Sequence, residues 1–277
     1  MKKTTAFLHD DWWPEWARVG HPTAWLVIIL LIAAVLRIYG INNLSPPGLE
    51  HDEVANWLID RTILDGHLAV YFLEAYGHEA GFHYLQAAFV ALLGDHALAL
   101  RLPAAFAGIL LVAVHFALTR RLFGTTTALV SAAILAILFW PVFYSRLGLR
   151  AISLPLVAGL SLYAWWNAWP PGKQQTGERS IFWFGLAGFL AGLGLYTYMA
   201  ARAVPIFYAL FVLYLLLFHR GQFRGRWRGV ALFWTVFILS ALPLVVYLWS
   251  NPGAEYRISE VDAPLRALLS GDCLLYT

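Results

Sequence analysis

The chain has 277 residues, of which 60% are hydrophobic, 16% aromatic and only 13% charged, and its mean hydropathy is +0.65. Soluble domains carry about 25% charged residues, so half the ordinary charge is missing, which excludes a solvated globular domain, a disordered chain and a nucleic-acid module. A net charge of +3 is too small to argue for a polyanionic partner, and the single cysteine, Cys273, excludes an internal disulfide framework or a cysteine-based metal cluster.

In chain order, residues 1–22 read as a cytoplasmic, interfacial N-terminus. Lys2 and Lys3 precede Asp10, Asp11 and Glu15, which are set among Trp12, Trp13 and Trp16. Acids there, and no small-residue cleavage site, fit an uncleaved anchor rather than a signal peptide. Stretches apolar enough to cross a hydrocarbon core of roughly 30 Å follow at 23–41, 101–119, 126–145, 151–169, 181–199, 203–219 and 229–249. Gly124 with three threonines, Pro170-Pro171-Gly172 and the polar run from His219 to Gly229 punctuate them. Arg37 is the one charge well inside a stretch, near enough to its outer end to snorkel. Gly185, Gly188, Gly192 and Gly194 permit close helix packing.

Residues 80–94 are apolar and helical in period, but 15 residues rise only about 22 Å as a helix. Topology arbitrates. If 80–94 does not cross, Arg120, Arg121, Lys173, Arg179, Arg220, Arg224, Arg226 and Arg228 all face the cytoplasm, as the positive-inside rule expects. If it does cross, all eight move outside. The segment therefore reads as a re-entrant or surface-lying helix. The expected architecture is an all-α polytopic membrane protein of about seven transmembrane helices, with a long outer first loop (42–100) that contains juxtamembrane helices.

That loop concentrates the acids: Glu50, Asp52, Glu53, Asp60, Asp65, Glu74 and Glu79. A short helix is expected from about Asp52 to a stop at Gly66. Asp52 and Glu53 in its first turn serve capping and dipole compensation, or else act as a general base or cation ligand at the membrane surface. In the next helix Glu79, His83 and Gln86 fall at i, i+4 and i+7, with His78 beside them. Such a stripe either binds a divalent metal or is the water-facing side of an interfacial helix. Arg101, Arg146, Arg150 and Arg202 lie at the expected outer ends of spans. They can be structural partners, lipid headgroup contacts or a phosphate site, since guanidinium recognises phosphate bidentately. Tyr196 and Tyr198 lie near Arg202 at an outer end, where aromatics are ordinary.

Taken together, LRIYGINNLSPPGLEHDE, GHEAGFHYLQAAFVALLG, ALRLPAAFAG leading into RRLFG, FYSRLGLRAISLP and GLGLYTYMAARAVP resemble the GT-C glycosyltransferase superfamily. The likeness is to its bacterial branch related to protein O-mannosyltransferases and lipid A aminoarabinose transferases, and it runs from about residue 30 to 205. The resemblance implies a GT-C-like transmembrane module over 23–249, and it implies that 250–277 begins an outer loop continued in a longer protein. It implies a catalytic role for Asp52 with Glu53 beside it, a functional Arg101, and a divalent cation, the one cofactor, at Glu79; charge placement adds donor-phosphate binding by Arg101, Arg146, Arg150 and Arg202, and helical spacing adds His83 as a second ligand beside Glu79. The sequence departs from many relatives in having Ala80-Gly81 after Glu79, and Arg146 and Arg150 where a second-loop aspartate often stands.

The activity implied is inverting transfer of a sugar from a polyprenyl-phosphate donor to an acceptor hydroxyl on a protein, lipid or glycan, at the outer face of the plasma membrane. The other class to be weighed is non-enzymatic: a lipid-linked-sugar transporter or flippase, or a structural membrane subunit. Transporters place charge near the midplane and show internal repeats, whereas here charge gathers at the ends of spans. Membrane lipids are expected partners, and nucleic acid is not.

Overall fold

A computed structural model of the chain describes residues 21–43, 48–169 and 178–255. The tryptophan-rich lead-in, Ser45-Pro46-Pro47, Lys173 and the outer-loop start from 256 onward lie outside the described residues. Helices occupy every stretch expected to cross: α1 (Pro22–Ile38), α4 (Ala97–Phe123), α5 (Thr125–Ile137) with α6 (Phe139–Arg146), α7 (Ser153–Ala168), α8 (Glu178–Gly194), α9 (Ala203–Phe218) and α11 (Trp227–Ser250). Between α1 and α4 lie α2 (His51–Leu64), a two-stranded antiparallel ribbon of β1 (Tyr71–Phe72) and β2 (His78–Glu79), and α3 (Ala80–Leu93). A short α10 (Arg220–Arg224) precedes α11.

Among the described residues α4, the run Met199–Phe218 and α11 are long and apolar enough to cross a membrane alone. The pair α5–α6 makes a fourth span if its 53° bend is taken within one crossing. α1, α7 and α8, of 17, 16 and 17 residues, are shorter. α3, at 14 residues, is apolar but short, as the rise argument requires.

The helices pack as two groups that meet at α4 and α7. In the first, α1, α4 and α5 approach through Ala33, Ala128 and Ala132, with Val112 and Phe116 filling the gap. In the second, Trp165 of α7 is enclosed by Phe184 of α8, Tyr208 of α9 and Phe233 of α11. The glycine row on α8 divides here. A Cβ at Gly188 would overlap the Phe233 carbonyl and one at Gly192 the Ser240 hydroxyl, so both let α11 approach, while Gly185 and Gly194 have ordinary room.

The stretch 126–145 is bent, and the expectation for Arg37 is corrected. The stretch 126–145 is not one straight helix, because Pro141 has no N–H to give and its ring would meet the carbonyl one turn back. Leu138 is accordingly extended, with φ −61° and ψ 132°. Nor does Arg37 snorkel to the surface: it is fully buried. Its Nη1 donates to the Ala136 carbonyl at 2.9 Å and to the Ala33 carbonyl at 3.2 Å, and its Nε to Ser145 Oγ at 3.3 Å. The break frees a carbonyl in an apolar interior, and the guanidinium supplies the missing donor. Arg37→Lys keeps the charge but replaces a planar fork by a single ammonium. It is expected to lower thermal stability in detergent by about 1–3 kcal/mol, the cost of a buried group left unsatisfied. An unchanged melting temperature would remove this role.

Candidate active site

Helix α2 begins with a reciprocal cap. Glu50 is its N-cap, and the Glu50 backbone N–H donates to Glu53 Oε2 at 2.9 Å. Glu53 is then fully buried, and Arg101 at the start of α4 donates to both its oxygens, from Nε and Nη2 at 2.7 Å each. The remaining Arg101 donors reach the carbonyls of Ile41 and Gly48 at 2.8 Å, so one guanidinium ties the exit of α1 to the entry of α2. Burial pushes the Glu53 carboxyl up, but the hydrogen bonds from Arg101, Glu50 and Gly148 outweigh it and hold Glu53 below the usual range.

Gly148 is the next junction. Its N–H donates to Glu53 Oε1 at 2.9 Å, and its carbonyl accepts from Asn56 Nδ2 at 2.7 Å and Gln86 Nε2 at 3.1 Å. A Cβ here would lie 2.9 Å from the Leu100 carbonyl and 3.0 Å from Gln86 Nε2, so only glycine permits the approach.

The polar stripe of α3 is not a water-facing side, because Glu79, His83 and Gln86 are all buried. It meets a matching stripe on α2, Glu53, Asn56 and Asp60, and the two helices bury polar faces against each other. His83 Nδ1 lies 3.3 Å from Asp60 Oδ1, and its Nε2 lies 3.0 Å from His78 Nδ1. Burial raises the Asp60 carboxyl to about 9 and pushes His83 well below its ordinary value, with His78 and Arg150 adding to the latter. A neutral Asp60 donates its hydroxyl to His83 Nδ1, which leaves His83 Nε2–H to donate to His78. On the other side of the stripe, Arg150 Nη1 donates to Glu79 Oε2 at 2.6 Å. Burial raises the Glu79 carboxyl by more than Arg150 lowers it.

These bonds bear on a cation at Glu79 and His83. The Glu79 carboxylate is engaged by Arg150, and both ring nitrogens of His83 are engaged by Asp60 and His78. Among the described residues no group of three or more His, Cys, Asp or Glu side chains is placed to hold a metal ion. The pair does not fit a metal site, and no step below passes through one.

The Asp60 value has a stability consequence of definite sign. Its folded pKa lies above the unfolded value of about 3.9. The stabilisation is therefore complete below about pH 4 and declines as pH rises toward about 9. Asp60→Asn, which keeps a donor to His83, is expected to remove that slope and to melt above the parent at pH 8 but not at pH 4. Parallel melting profiles for the two proteins would show that Asp60 is not held neutral.

Beside this polar core lies an open cavity of about 270 Å³, lined among others by Asp52, Asn56, His78, Tyr144, Arg150 and Tyr198. Asp52 stands at its edge with 68% of its side chain exposed, and its Oδ1 is 3.5 Å from His51 Nδ1. The Arg150 guanidinium lies over the Tyr198 ring at 5.5 Å. Ala75 and Tyr76, on the turn joining β1 to β2, also line the cavity, and both have left-handed backbone, with φ 52° and 66°. A non-glycine pair in that region is strained. Gly77 completes the turn, where a Cβ would overlap the Tyr71 hydroxyl.

The four arginines expected at the donor phosphate thus separate. Arg150 alone of them lines the cavity with Asp52. Arg101 is bound up with Glu53, and Arg146 Nη1 donates to the Leu36 and Tyr39 carbonyls at 2.7 and 2.8 Å. Arg202 pairs with Glu255. Asn56 and Tyr144 carry no expectation from sequence, and Asp60 figures there only as one of seven loop acids. Asn56 and Asp60 carried a signal all the same, since 53, 56 and 60 share one helical face.

Comparison with known proteins places this geometry. A search of curated protein sequences returns no match. Among solved structures, the Saccharomyces cerevisiae protein O-mannosyltransferase Pmt1–Pmt2 complex, bound to its sugar donor, matches with a TM-score of 0.66 at 16% identity, over 86% of this chain and 34% of that one. The archaeal oligosaccharyltransferase AglB from Archaeoglobus fulgidus, in complex with an inhibitory peptide and a dolichol-phosphate, matches with a TM-score of 0.58 at 18% identity, over 92% of this chain and 37% of that one. The chain therefore spans about a third of the length of these solved structures, and at such identities the likeness is one of fold: a GT-C membrane fold. The sequence itself carries the family, since the profile of dolichyl-phosphate-mannose-protein mannosyltransferases matches residues 78–249. With more than half its length so matched, from β2 through α11, this chain belongs to the dolichyl-phosphate-mannose-protein mannosyltransferase family.

Proposed function

We propose that the chain is the membrane module of an inverting glycosyltransferase that moves a sugar from a polyprenyl-phosphate donor to an acceptor hydroxyl at the outer face of the plasma membrane. The observation that carries this reading is one cavity presenting a carboxyl group, Asp52, and a guanidinium, Arg150, at the end of the helix bundle where the acids gather. Asp52 accepts or orients the proton of the acceptor hydroxyl as its oxygen attacks the anomeric carbon. The bond from that carbon to the phosphate oxygen breaks, and Arg150 stabilises the charge left on the phosphate. Arg101, with Glu53, holds the first turn of α2 so that Asp52 stays at the cavity. Arg146 and Arg202 flank the same end of the bundle and extend the basic surroundings offered to the phosphate. An apolar groove of about 550 Å³, lined by Leu68, Val70, Tyr84, Leu193 and Tyr196, opens nearby and suits a prenyl chain. The seven-span topology with the cytoplasmic N-terminus is part of the proposal, supported by the basic residues at the opposite ends of the helices.

The test is direct. Membranes bearing the protein are incubated with radiolabelled polyprenyl-phosphate mannose and a hydroxyl-bearing peptide. Covalent label on the peptide, with release of polyprenyl phosphate, is the expected result. Movement of intact lipid between leaflets with no transfer would favour the flippase and overturn the enzyme.

A further inference from the structure

The end of the bundle opposite the Asp52 cavity has its own concavity. It lies where α8 and α11 begin, has a volume of about 460 Å³, and is lined by Glu178, Ser180, Ile181, Phe184, Arg224, Arg226, Trp227 and Arg228. α8 leads from this cavity to the turn bearing Tyr198, and its 17 residues separate the two by about 25 Å. If one cavity sits at one membrane surface, the other sits at the opposite surface.

Three features suit it to a ligand that is anionic at one end and apolar at the other. Arg224, Arg226 and Arg228 line one side, and α11 begins there, so its macrodipole adds to the positive potential. Glu178 is the only acid at this end among the described residues, the rest lying between Glu50 and Asp95 or at Glu255. The other walls are apolar, from Ile181 and Phe184, with Trp227 exposed at the rim as interfacial tryptophans are. The site is also built rather than incidental. The Arg226 guanidinium lies over the Trp169 ring at 4.6 Å, and Gly229 lets the Phe184 ring pack directly on the α11 backbone. Scattered positive-inside charge requires neither a cavity nor an aromatic seat for one of its arginines.

We propose that this cavity binds the phosphate headgroup of an anionic phospholipid of the leaflet opposite the transfer site. Guanidinium groups take the phosphate, and the apolar wall takes the start of an acyl chain. Such a site is independent of the sugar-transfer reading.

The purified protein in dodecylmaltoside is titrated with dioleoylphosphatidylglycerol, with dioleoylphosphatidylcholine, or with inorganic phosphate, and retained lipid is counted by native mass spectrometry. One phosphatidylglycerol is expected to be retained at concentrations where phosphatidylcholine is not. Arg224→Gln with Arg228→Gln is expected to weaken retention about tenfold. Both side chains are exposed, so the fold is spared, and Arg226 is left on Trp169. Arg120→Gln with Arg220→Gln removes the same charge from the same end outside the cavity, and is expected to leave retention within twofold. Equal loss in the two double variants would reduce the effect to diffuse charge and overturn the site. Equal retention of the two lipids would overturn it too. Stabilisation by inorganic phosphate without lipid retention would make the ligand a free anion and overturn the lipid assignment.

Discussion

Asp52→Asn is expected to reduce sugar transfer by about 10²–10⁴-fold, the ordinary worth of a positioned general base, while the protein melts as before. The two halves of that expectation have separate grounds. Asp52 touches little: its side chain is two-thirds exposed, and its nearest ionisable partner is the still more exposed His51. An isosteric amide therefore disturbs no buried contact. It does remove the carboxyl group from the cavity that holds Arg150, and with it the group that can take the acceptor proton. Asp52→Glu keeps the chemistry but displaces it by one methylene, and is expected to fall between the two because such catalysis depends on placement. Transfer by the asparagine variant within a few-fold of the parent would end the assignment.

Arg101→Met is expected to do the opposite: a large loss of stability, on the order of 3–5 kcal/mol, with activity lost because the module no longer holds together. Removing one partner of a buried pair leaves the other charge without compensation, and here the stranded group is Glu53, fully buried. The Ile41 and Gly48 carbonyls lose their donor in the same stroke. Glu53→Gln leaves Arg101 on the Ile41 and Gly48 carbonyls, but its single amide oxygen can accept from only one of the Glu50 and Gly148 N–H groups, which Glu53 takes on different oxygens, so it too is expected to destabilise. The double variant should cost clearly less than the sum, since each change removes the reason the other hurts. Simple additivity of melting shifts would show that the pair is not the source. Glu53 also predicts acid sensitivity. Its folded pKa is depressed, so its contribution is present above the unfolded value of about 4.3 and is lost as pH falls below it. Asp60 works the other way, and the parent protein is weakened from both ends of the pH range.

How far the chain could be read in advance depended on whether an element is defined by its own residues. α2 runs His51–Leu64 and the chain turns at Gly66, close to the expected start at Asp52 and stop at Gly66, because capping and glycine conformation are local. The short α3 followed from length alone. The cluster of acids was legible as a cluster, and Asp52, Arg150 and Tyr198 share a cavity. The burial of the polar stripe on α3 could not be read from its pattern. Amphipathicity shows that a face is polar, but not whether water or another polar helix covers it. Asp60 and His83 are 23 residues apart, and Glu53 and Arg101 are 48 apart; only tertiary packing brings either pair together. Arg37 misled similarly, because the need for its donors arises at a helix break 99 residues away.

Gly148 links these two kinds of residue. It sits directly before Leu149 and Arg150, which line the cavity, while its own N–H and carbonyl are held by Glu53, Asn56 and Gln86 in the interior. The cavity wall therefore takes its coordinates from a polar knot that, apart from Asn56, lies behind it. Substitutions at Asn56 or Gln86 are therefore expected to change the shape of the cavity, whereas loss of the Glu53–Arg101 pair costs the fold itself. A variant library scored for expression alone would pass many chains whose cavity has already changed shape.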